Sequence, residues 1–206
     1  MDKQKRFRDT SLRLQSYDYS KPGFYFITVC TYQREHHFGT VNYGEMILNE
    51  SGIIANEFWK NMEHRFPQCR THTFVVMPNH IHGIIEILPI SKPVGSIHES
   101  SPPAKNKSYS KPAGSIHELN LLRVNEQSDV ESNRKRRRKM IIPMVVGWYK
   151  MNVSKQINLI RNSPGVHIWQ RNYYEHIIRD QTSFEIISEY IRYNSQKWNR
   201  DRFMVN

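Results

Sequence analysis

The chain has 206 residues, of which 38% are hydrophobic and 24% are charged, and it contains two cysteines. That length suits one globular domain with its own core. No apolar run approaches the roughly 20 residues of a membrane span, and the charged N-terminus leads into no apolar segment, so neither a membrane protein nor a secretory signal is expected. Cys30 and Cys69 lack metal-ligand spacing, which favours buried, reduced thiols in a cytoplasmic protein.

The charge of the chain favours a polyanionic partner. The formal net charge is +11, and the pI is about 9.7. Six of the charges form one unbroken basic run, and removing them leaves +5 for the rest of the chain. The run consists of Arg134, Lys135, Arg136, Arg137, Arg138 and Lys139. Such a run binds phosphates or is simply a solvated tail, but an aromatic content of 12% beside the positive charge favours a surface that binds nucleic acid.

The first 88 residues predict a β-β-α-β-β arrangement. The strand segments are rich in aromatic and β-branched residues, and the helical segment has apolar residues at near-helical spacing before Pro67. The predicted strands cover residues 23–32, 40–48, 71–77 and 80–88, and the predicted helix covers residues 49–66. Its apolar face is formed by Ile53, Ile54, Phe58, Met62 and Phe66.

The pattern breaks at residues 89–139, which are rich in Ser, Pro, Lys and Asn. A nine-residue segment at 91–99 recurs at 110–118 with one substitution. Two polar copies are too few to build a repeat fold. We therefore expect one domain over residues 1–206, interrupted at 89–139 by a disordered insertion.

Periodicity returns after the insertion. Apolar residues predict a helix over 141–161, with Pro143 in its first turn, followed by a strand-like segment over 166–178. A last helix is predicted to run from a capping box at Thr182 to about Trp198. Its core face is formed by Phe184, Ile187, Ile191 and Trp198.

Two residues of this last helix lie beside its core face. Tyr190 and Asn194 are four positions apart, so their side chains are predicted to be neighbours about 6 Å apart. Tyr193 is predicted to face solvent. Tyr190 is therefore placed either to meet a second surface or to pack its ring at the boundary with its hydroxyl in water, and periodicity alone leaves both open.

The pair His80 and His82 is the most informative feature of the chain. Residues two apart in a strand project from the same face about 7 Å apart, so both imidazoles can reach one metal ion while Ile81 anchors the opposite face. The same pattern also occurs where two core histidines only satisfy hydrogen bonds. The pair alone does not decide between these two interpretations.

Four blocks of the sequence resemble the REP-associated tyrosine transposases, which belong to the single-tyrosine HUH transposase family. They occur in the family's order within residues 10–88 and 140–198. The first block covers residues 13–31, the second is Met77-Pro78-Asn79-His80-Ile81-His82, the third covers residues 169–180, and the last is Glu189-Tyr190-Ile191-Arg192-Tyr193-Asn194. The chain departs from the family's pattern in its long insertion and at Ser195, where a proline often follows the asparagine.

This resemblance implies a fold and an activity. The fold would be α+β, a ferredoxin-like HUH antiparallel sheet with helices packed on one face. The activity would be cleavage and rejoining of single-stranded or hairpin DNA, with Tyr190 forming a 5′-phosphotyrosine intermediate. A divalent ion, Mg²⁺ or Mn²⁺, would be held by His80 and His82, with Asn194 as a candidate third ligand. The protein would act as a monomer or homodimer.

Further DNA contacts are predicted outside these ligands. Lys150, His176 and Arg179 are candidates for binding phosphate, together with the basic run Arg134–Lys139. For His176, a role in bracing the fold is an equal alternative. Two other functions compete with the transposase: a catalytically inactive hairpin-binding regulator, and a replication or conjugation nickase, although nickases are usually larger multidomain proteins.

Overall fold

The computed structural model describes residues 17–89 and 139–200, and residues 17–89 and 140–200 belong to one compact unit. The predicted insertion, with its duplicated segment, lies outside the described residues except for its two ends. The strands are β1 (Gly23–Cys30), β2 (Gly39–Asn42), β3 (Glu45–Leu48), β4 (Cys69–Met77), β5 (His80–Ile87) and β6 (Tyr174–Ile178). The helices are α1 (Glu50–Lys60), α2 (Met62–Arg65), α3 (Ile141–Ile160) and α4 (Gln181–Arg192).

Four strands form an antiparallel sheet in the order β4-β5-β1-β6, so that β5 and β1 are central. In this register Thr28 of β1 lies opposite His82 of β5 on one side and opposite Tyr174 of β6 on the other. Side chains directly opposite each other share a face of the sheet. These three residues therefore form one row across the sheet.

One face of the sheet carries the main core. Ile81, Ile85 and Ile87 of β5 are buried in the same cluster as residues of α1 and α3. Trp59 of α1 and Tyr149 of α3 meet edge to face with their centroids 5.3 Å apart. The Tyr149 hydroxyl donates to the backbone carbonyl of Ala55 at 2.9 Å, and burial raises the pKa of this phenol well above its usual value. These contacts hold α1 and α3 together over β5.

Gly83 allows an unusually close approach between α1 and β5. A Cβ atom at this position would lie 2.2 Å from Cζ2 of Trp59 and 2.9 Å from Cβ of Phe74. Real Cβ contacts are never this short, so only glycine fits while Trp59 lies flat against the strand. The indole therefore packs directly behind the strand segment that carries both histidines.

The other face of the sheet carries the histidines and is covered by α4. Ile84 and Ile178 of the sheet and Ile191 of α4 form a second buried cluster, which includes Phe26 at its edge. The predicted fold class is confirmed: it is α+β with an antiparallel sheet, and α1 and α3 share one face. The helix α4 adds a layer over the opposite face, and this layer brings Tyr190 to the histidines.

Several predicted boundaries are wrong in detail. The strand expected over 40–48 is a hairpin of β2 and β3, which turns at Tyr43 and Gly44 with φ angles of 48° and 81°. It forms its own two-stranded sheet. A two-residue turn with positive φ at both positions matches the right-handed twist of a hairpin, and glycine favours it.

The helices follow their predictions with local corrections. The helix predicted over 49–66 is broken at Asn61 into α1 and α2, and Ile53 is 53% exposed instead of buried. The helix predicted over 141–161 is confirmed as α3, with Pro143 in its first turn. The strand-like segment predicted over 166–178 contains only β6 and one isolated bridge between Thr31 and Trp169.

The last helix begins and ends differently from its prediction. Its N-cap is Asp180, whose Oδ1 accepts from the backbone N–H of Ser183 at 2.7 Å, so the capping box at Thr182 is wrong. Hydrogen bonds from Ser183 lower the pKa of the Asp180 carboxyl. At the other end α4 stops at Arg192, and the N–H of Asn194 bonds to the carbonyl of Ile191 at 3.2 Å. This tighter turn leads into a 3₁₀ helix, Ser195–Arg200.

Cys30 and Cys69 are both buried, as predicted. Burial raises the pKa of the Cys69 thiol to about 12, so it is not a reactive thiolate. Among the helices of residues 17–89 and 139–200, none combines the length and the apolar character that crossing a membrane requires.

Candidate active site

His80 and His82 are both fully buried on the face of β5 that α4 covers. Their ring centroids are 4.5 Å apart, and the ring planes are inclined at 66°. Ile81 between them is buried in the main core on the opposite face. The predicted arrangement of two imidazoles side by side with an apolar anchor behind them is therefore present.

The proton position on His80 follows from its neighbour. Nδ1 of His80 lies 2.8 Å from the amide oxygen of Asn79, and the amide nitrogen of Asn79 donates to the carbonyl of Arg34 at 3.2 Å. This second bond fixes the orientation of the Asn79 amide. Because its oxygen can only accept, Nδ1 of His80 carries the proton and Nε2 carries the lone pair. A metal ligand needs such a lone pair.

The loop that contains Arg34, whose carbonyl accepts from the Asn79 amide, has an uncommon backbone conformation. Gln33 and Arg34 both have positive φ, at 50° and 64°. Non-glycine residues adopt this region rarely and at an energetic cost. Thr31 stabilises the loop, because its backbone N–H and its hydroxyl both donate to the carbonyl of Asn79 at 2.9 Å. The strained loop thus positions the amide that orients His80.

His82 is held between a threonine and a tyrosine. Its Nδ1 lies 2.8 Å from Oγ1 of Thr28, and its Nε2 lies 3.1 Å from the hydroxyl of Tyr190. Phe26 stacks on the ring with centroids 5.3 Å apart. Two proton arrangements satisfy these contacts: the imidazole either donates to Thr28 and accepts from Tyr190, or the reverse. The first arrangement makes Nε2 the acceptor for the phenol proton.

The segment after α4 completes the surroundings of the pair. Trp198 of the 3₁₀ helix stacks on His80 with centroids 6.0 Å apart and planes inclined at 29°. Asn194 lies between Tyr190 and Trp198 in the chain, four positions from each, and it is buried with 2% exposure. It occupies a turn and not the helix that its spacing predicted. Within the described residues its Oδ1 accepts no hydrogen bond.

The donor set limits which metal sites are possible. Residues 17–89 and 139–200 contain no group of three or more His, Cys, Asp or Glu side chains arranged to hold a metal ion. A metal held by the two imidazoles would therefore take any third protein ligand from a neutral oxygen and not from a described His, Cys, Asp or Glu side chain. The buried, unpartnered Oδ1 of Asn194 fits that role, since it lacks the hydrogen bond that a buried amide normally makes. Imidazole donors suit Zn²⁺ at least as well as Mn²⁺ or Mg²⁺, whereas an amide oxygen suits Mn²⁺ and Mg²⁺.

The other residues predicted to bind DNA are distributed unevenly. His176 is exposed on β6 opposite Phe26, on the face of the histidines, and Arg179 is exposed just beyond the end of β6. Lys150 is not brought to this face, because its ammonium donates to the carbonyls of Gln170 and Arg171 at 2.6 and 3.0 Å. In the basic run, Lys139 is exposed, and Arg134–Arg138 lie outside the described residues. The DNA-binding roles of all these residues stay predictions.

Three contacts of the site were not foreseen from the sequence. Thr28 and Asn79 orient the two imidazoles, and Trp198 was expected only as a core residue of a longer helix. Because Asn79 directly precedes His80 in the chain, its proximity to the His80 imidazole could be inferred from the sequence. The role of Thr28 depends on strand pairing across 54 positions, which no local pattern reveals.

Comparison with known proteins adds a relative and a distant structural likeness. No protein-family model matches the chain. A protein of Haemophilus influenzae described as uncharacterized is 34% identical over 196 residues, which cover 95% of this chain and 93% of that protein. The chain belongs to the same family as this Haemophilus protein. A solved structure described as a REP-associated tyrosine transposase bound to a REP hairpin aligns with 94% of this chain and 76% of its own, at 16% identity and a TM-score of 0.46.

Proposed function

We propose that the protein is a DNA strand transferase that cleaves and rejoins single-stranded or hairpin DNA through a covalent tyrosine intermediate. One observation carries the proposal: the hydroxyl of Tyr190 lies 3.1 Å from Nε2 of His82, within a buried His-x-His pair. A hydroxyl beside an imidazole, which is itself oriented by a third group, is the arrangement of an activated nucleophile. The resemblance of four sequence blocks to the REP-associated tyrosine transposases specifies the class of reaction.

The chemistry assigns each atom a role. The phenol oxygen of Tyr190 attacks the phosphorus of the scissile phosphodiester, the bond from phosphorus to the 3′ oxygen breaks, and the 5′ phosphate becomes linked to the tyrosine. The departing oxygen takes a proton and becomes a free 3′-hydroxyl. A phenol has a pKa near 10. As long as no metal is bound to Nε2 of His82, this atom can accept the phenol proton, with the His82 proton on Nδ1 toward Thr28. Rejoining is the reverse attack by a 3′-hydroxyl.

A divalent metal ion, Mg²⁺ or Mn²⁺, belongs to this proposal, with His80, His82 and Asn194 as its ligands. When bound, such an ion polarises the scissile phosphate and offsets its negative charge. The protonated Nδ1 of His80 leaves its Nε2 lone pair as the donor atom. The Nε2 lone pair of His82 cannot bind a metal ion and accept the phenol proton at the same time. A metal bound to Nε2 of His82 would therefore replace the hydrogen bond from Tyr190, and the phenol proton would then pass to solvent water.

The proposal is tested by trapping the covalent intermediate. The protein is incubated with a DNA hairpin carrying a single-stranded flank, with Mn²⁺ present, and the products are resolved on a denaturing gel. A label at the 3′ end of the DNA should move to a protein adduct, whereas a label at the 5′ end should stay on a shortened free strand with an extendable 3′-hydroxyl. DNA that is bound but never linked would instead identify a catalytically inactive hairpin-binding regulator.

A further inference from the structure

We infer that the face of β6 beside the histidines is a binding surface for single-stranded DNA, on which the ring of Tyr174 stacks a base. This surface, which we call the β6 face, consists of Tyr174 and His176. The inference rests on the proposed function, because it names where the substrate strand lies relative to Tyr190. It concerns residues that take no part in the cleavage chemistry described above.

The register of the sheet places this surface next to the site. Thr28 lies opposite both Tyr174 and His82, and its hydroxyl bonds to the His82 ring. Adjacent strands are about 4.8 Å apart, so Tyr174 is about 10 Å from His82 across the row. His176 lies opposite Phe26, whose ring contacts both His82 and Tyr190. A strand that runs along β6 toward Tyr190 would therefore lie over these two side chains.

Both side chains of the β6 face are exposed to solvent. Tyr174 is 42% exposed and His176 is exposed, although both stand on the sheet face that α4 covers elsewhere. The same face carries the buried Ile178 two residues later. An aromatic ring left open beside a polar, buried pair of histidines offers a flat surface to a base, and stacking tolerates any base because every base has a π face.

The charge around this surface suits a phosphate backbone. Exposed Arg171 and Arg179 lie just before and just after β6, and His176 lies between them. Glu175 points to the opposite face, as the alternation of a strand requires. Arg171 and Arg179 place a positive residue before and after β6 in the chain, with aromatic surface between them, which suits the phosphates of an extended nucleic acid strand.

The segment that leads into β6 is firmly anchored. The ammonium of Lys150 holds the carbonyls of Gln170 and Arg171, and the indole N–H of Trp169 donates to the carbonyl of Lys150 at 3.1 Å. These bonds tie residues 169–171, which precede β6 in the chain, to α3 behind the sheet. When a ring is already fixed, stacking a base on it costs less conformational entropy than when the ring is mobile. Lys150 thus supports the segment before β6 from behind the sheet.

The experiment separates stacking from cleavage. All variants are made in a Tyr190→Phe background, and affinity is measured for single-stranded oligonucleotides of mixed sequence that contain 2-aminopurine in the flank of a hairpin. Tyr174→Ala should weaken binding by about tenfold, within the range expected for one lost base–aromatic stack, and should relieve the quenching of 2-aminopurine at one flank position. Tyr174→Phe should retain both the affinity and the quenching.

The matched control is Tyr193→Ala, which removes a tyrosine of nearly equal exposure, 44%, at the end of α4. It should bind and quench like the parent. Equal affinity and equal quenching in Tyr174→Ala and the parent would overturn the inference. That result is distinguishable from failure of the proposed function, because the protein with Tyr190 intact would still form the covalent adduct. A wild-type protein that forms no adduct would overturn the proposed function instead.

Discussion

The hydroxyl of Tyr190 and Nε2 of His82 are 3.1 Å apart, although 108 positions separate the two residues in the chain. Neither residue has a reason to meet the other before β5 pairs with β1 and α4 packs on the sheet. The contact therefore exists only in the folded protein. In the unfolded chain the Tyr190 phenol has no imidazole beside it, so the activity should be lost together with tertiary structure.

The choice of nucleophile is tested by two conservative substitutions. Tyr190→Phe removes one hydroxyl and keeps the ring, so adduct formation should vanish while stability falls by only about 1 kcal/mol for the lost hydrogen bond. Tyr193→Phe should form the adduct at the parent rate, since Tyr193 is exposed at the C-cap of α4. Mass spectrometry of the trapped peptide locates the linkage. DNA found on Tyr173, Tyr174 or Tyr193 would refute the assignment.

The metal ligands are tested by separating cleavage from binding. His80→Ala and His82→Ala should each abolish cleavage and weaken Mn²⁺ binding, measured by the electron paramagnetic resonance signal of free Mn²⁺. Hairpin binding should persist, because phosphate contacts elsewhere contribute most of the affinity. Circular dichroism melts check that each variant folds. A double mutant that cleaves at the parent rate in chelated buffer would eliminate the metal from the proposal.

Asn79 is predicted to position His80 and not to act in the reaction itself. In Asn79→Ala, Nδ1 of His80 loses its acceptor, so the proton is free to move to Nε2 and Mn²⁺ affinity should fall about 10- to 100-fold. In Asn79→Asp a carboxylate replaces the acceptor, although the bond to the Arg34 carbonyl is lost. The Asp variant should therefore retain the Nδ1–H tautomer, which ¹⁵N NMR of the imidazole reports directly. The same tautomer in the Ala variant would contradict this role.

His37 is predicted to make the stability of the protein depend on pH. Burial, reinforced by the nearby Arg161 guanidinium, lowers the pKa of His37 below its usual 6.5, and Glu35 only partly opposes this. The unfolded chain therefore binds the proton more readily, so His37 contributes stability above about pH 6.5 that is lost as the pH falls below this value. The free energy of unfolding, measured with denaturant at about pH 7.5 and pH 5.5, should decrease on acidification. His37→Gln should reduce this decrease, and an unchanged dependence would exclude His37 as its source.

The elements with strong periodicity could be predicted from the sequence. The β-branched run after His82 identified β5, and apolar spacing identified α3 and the burial of Ile191 in α4. The end of α4 could not be predicted, because no glycine or proline follows Arg192 and the turn at Asn194 depends on tertiary contacts. The glycine of the Tyr43–Gly44 turn indicates a hairpin, but the flanking strands of four residues each are too short for their alternation to show two separate strands.

The candidate site was only partly predictable for a related reason. The two histidines and Tyr190 belong to local patterns, so their residue types and faces could be inferred. The sheet order and the pairing of Thr28 with both His82 and Tyr174 are long-range relations, which a single sequence does not encode locally. The β6 face follows only from that register.

The missing side chain of Gly83 couples the hydrophobic core to the candidate site. Because Trp59 occupies the place where a Cβ would stand, any larger residue at position 83 must displace either the indole or the strand. A shift of the strand would move His82, the preceding residue, away from Tyr190. Positions 59 and 83 should therefore change together during evolution. Relatives with a residue larger than glycine at position 83 are expected to carry a smaller ring or an aliphatic residue at position 59.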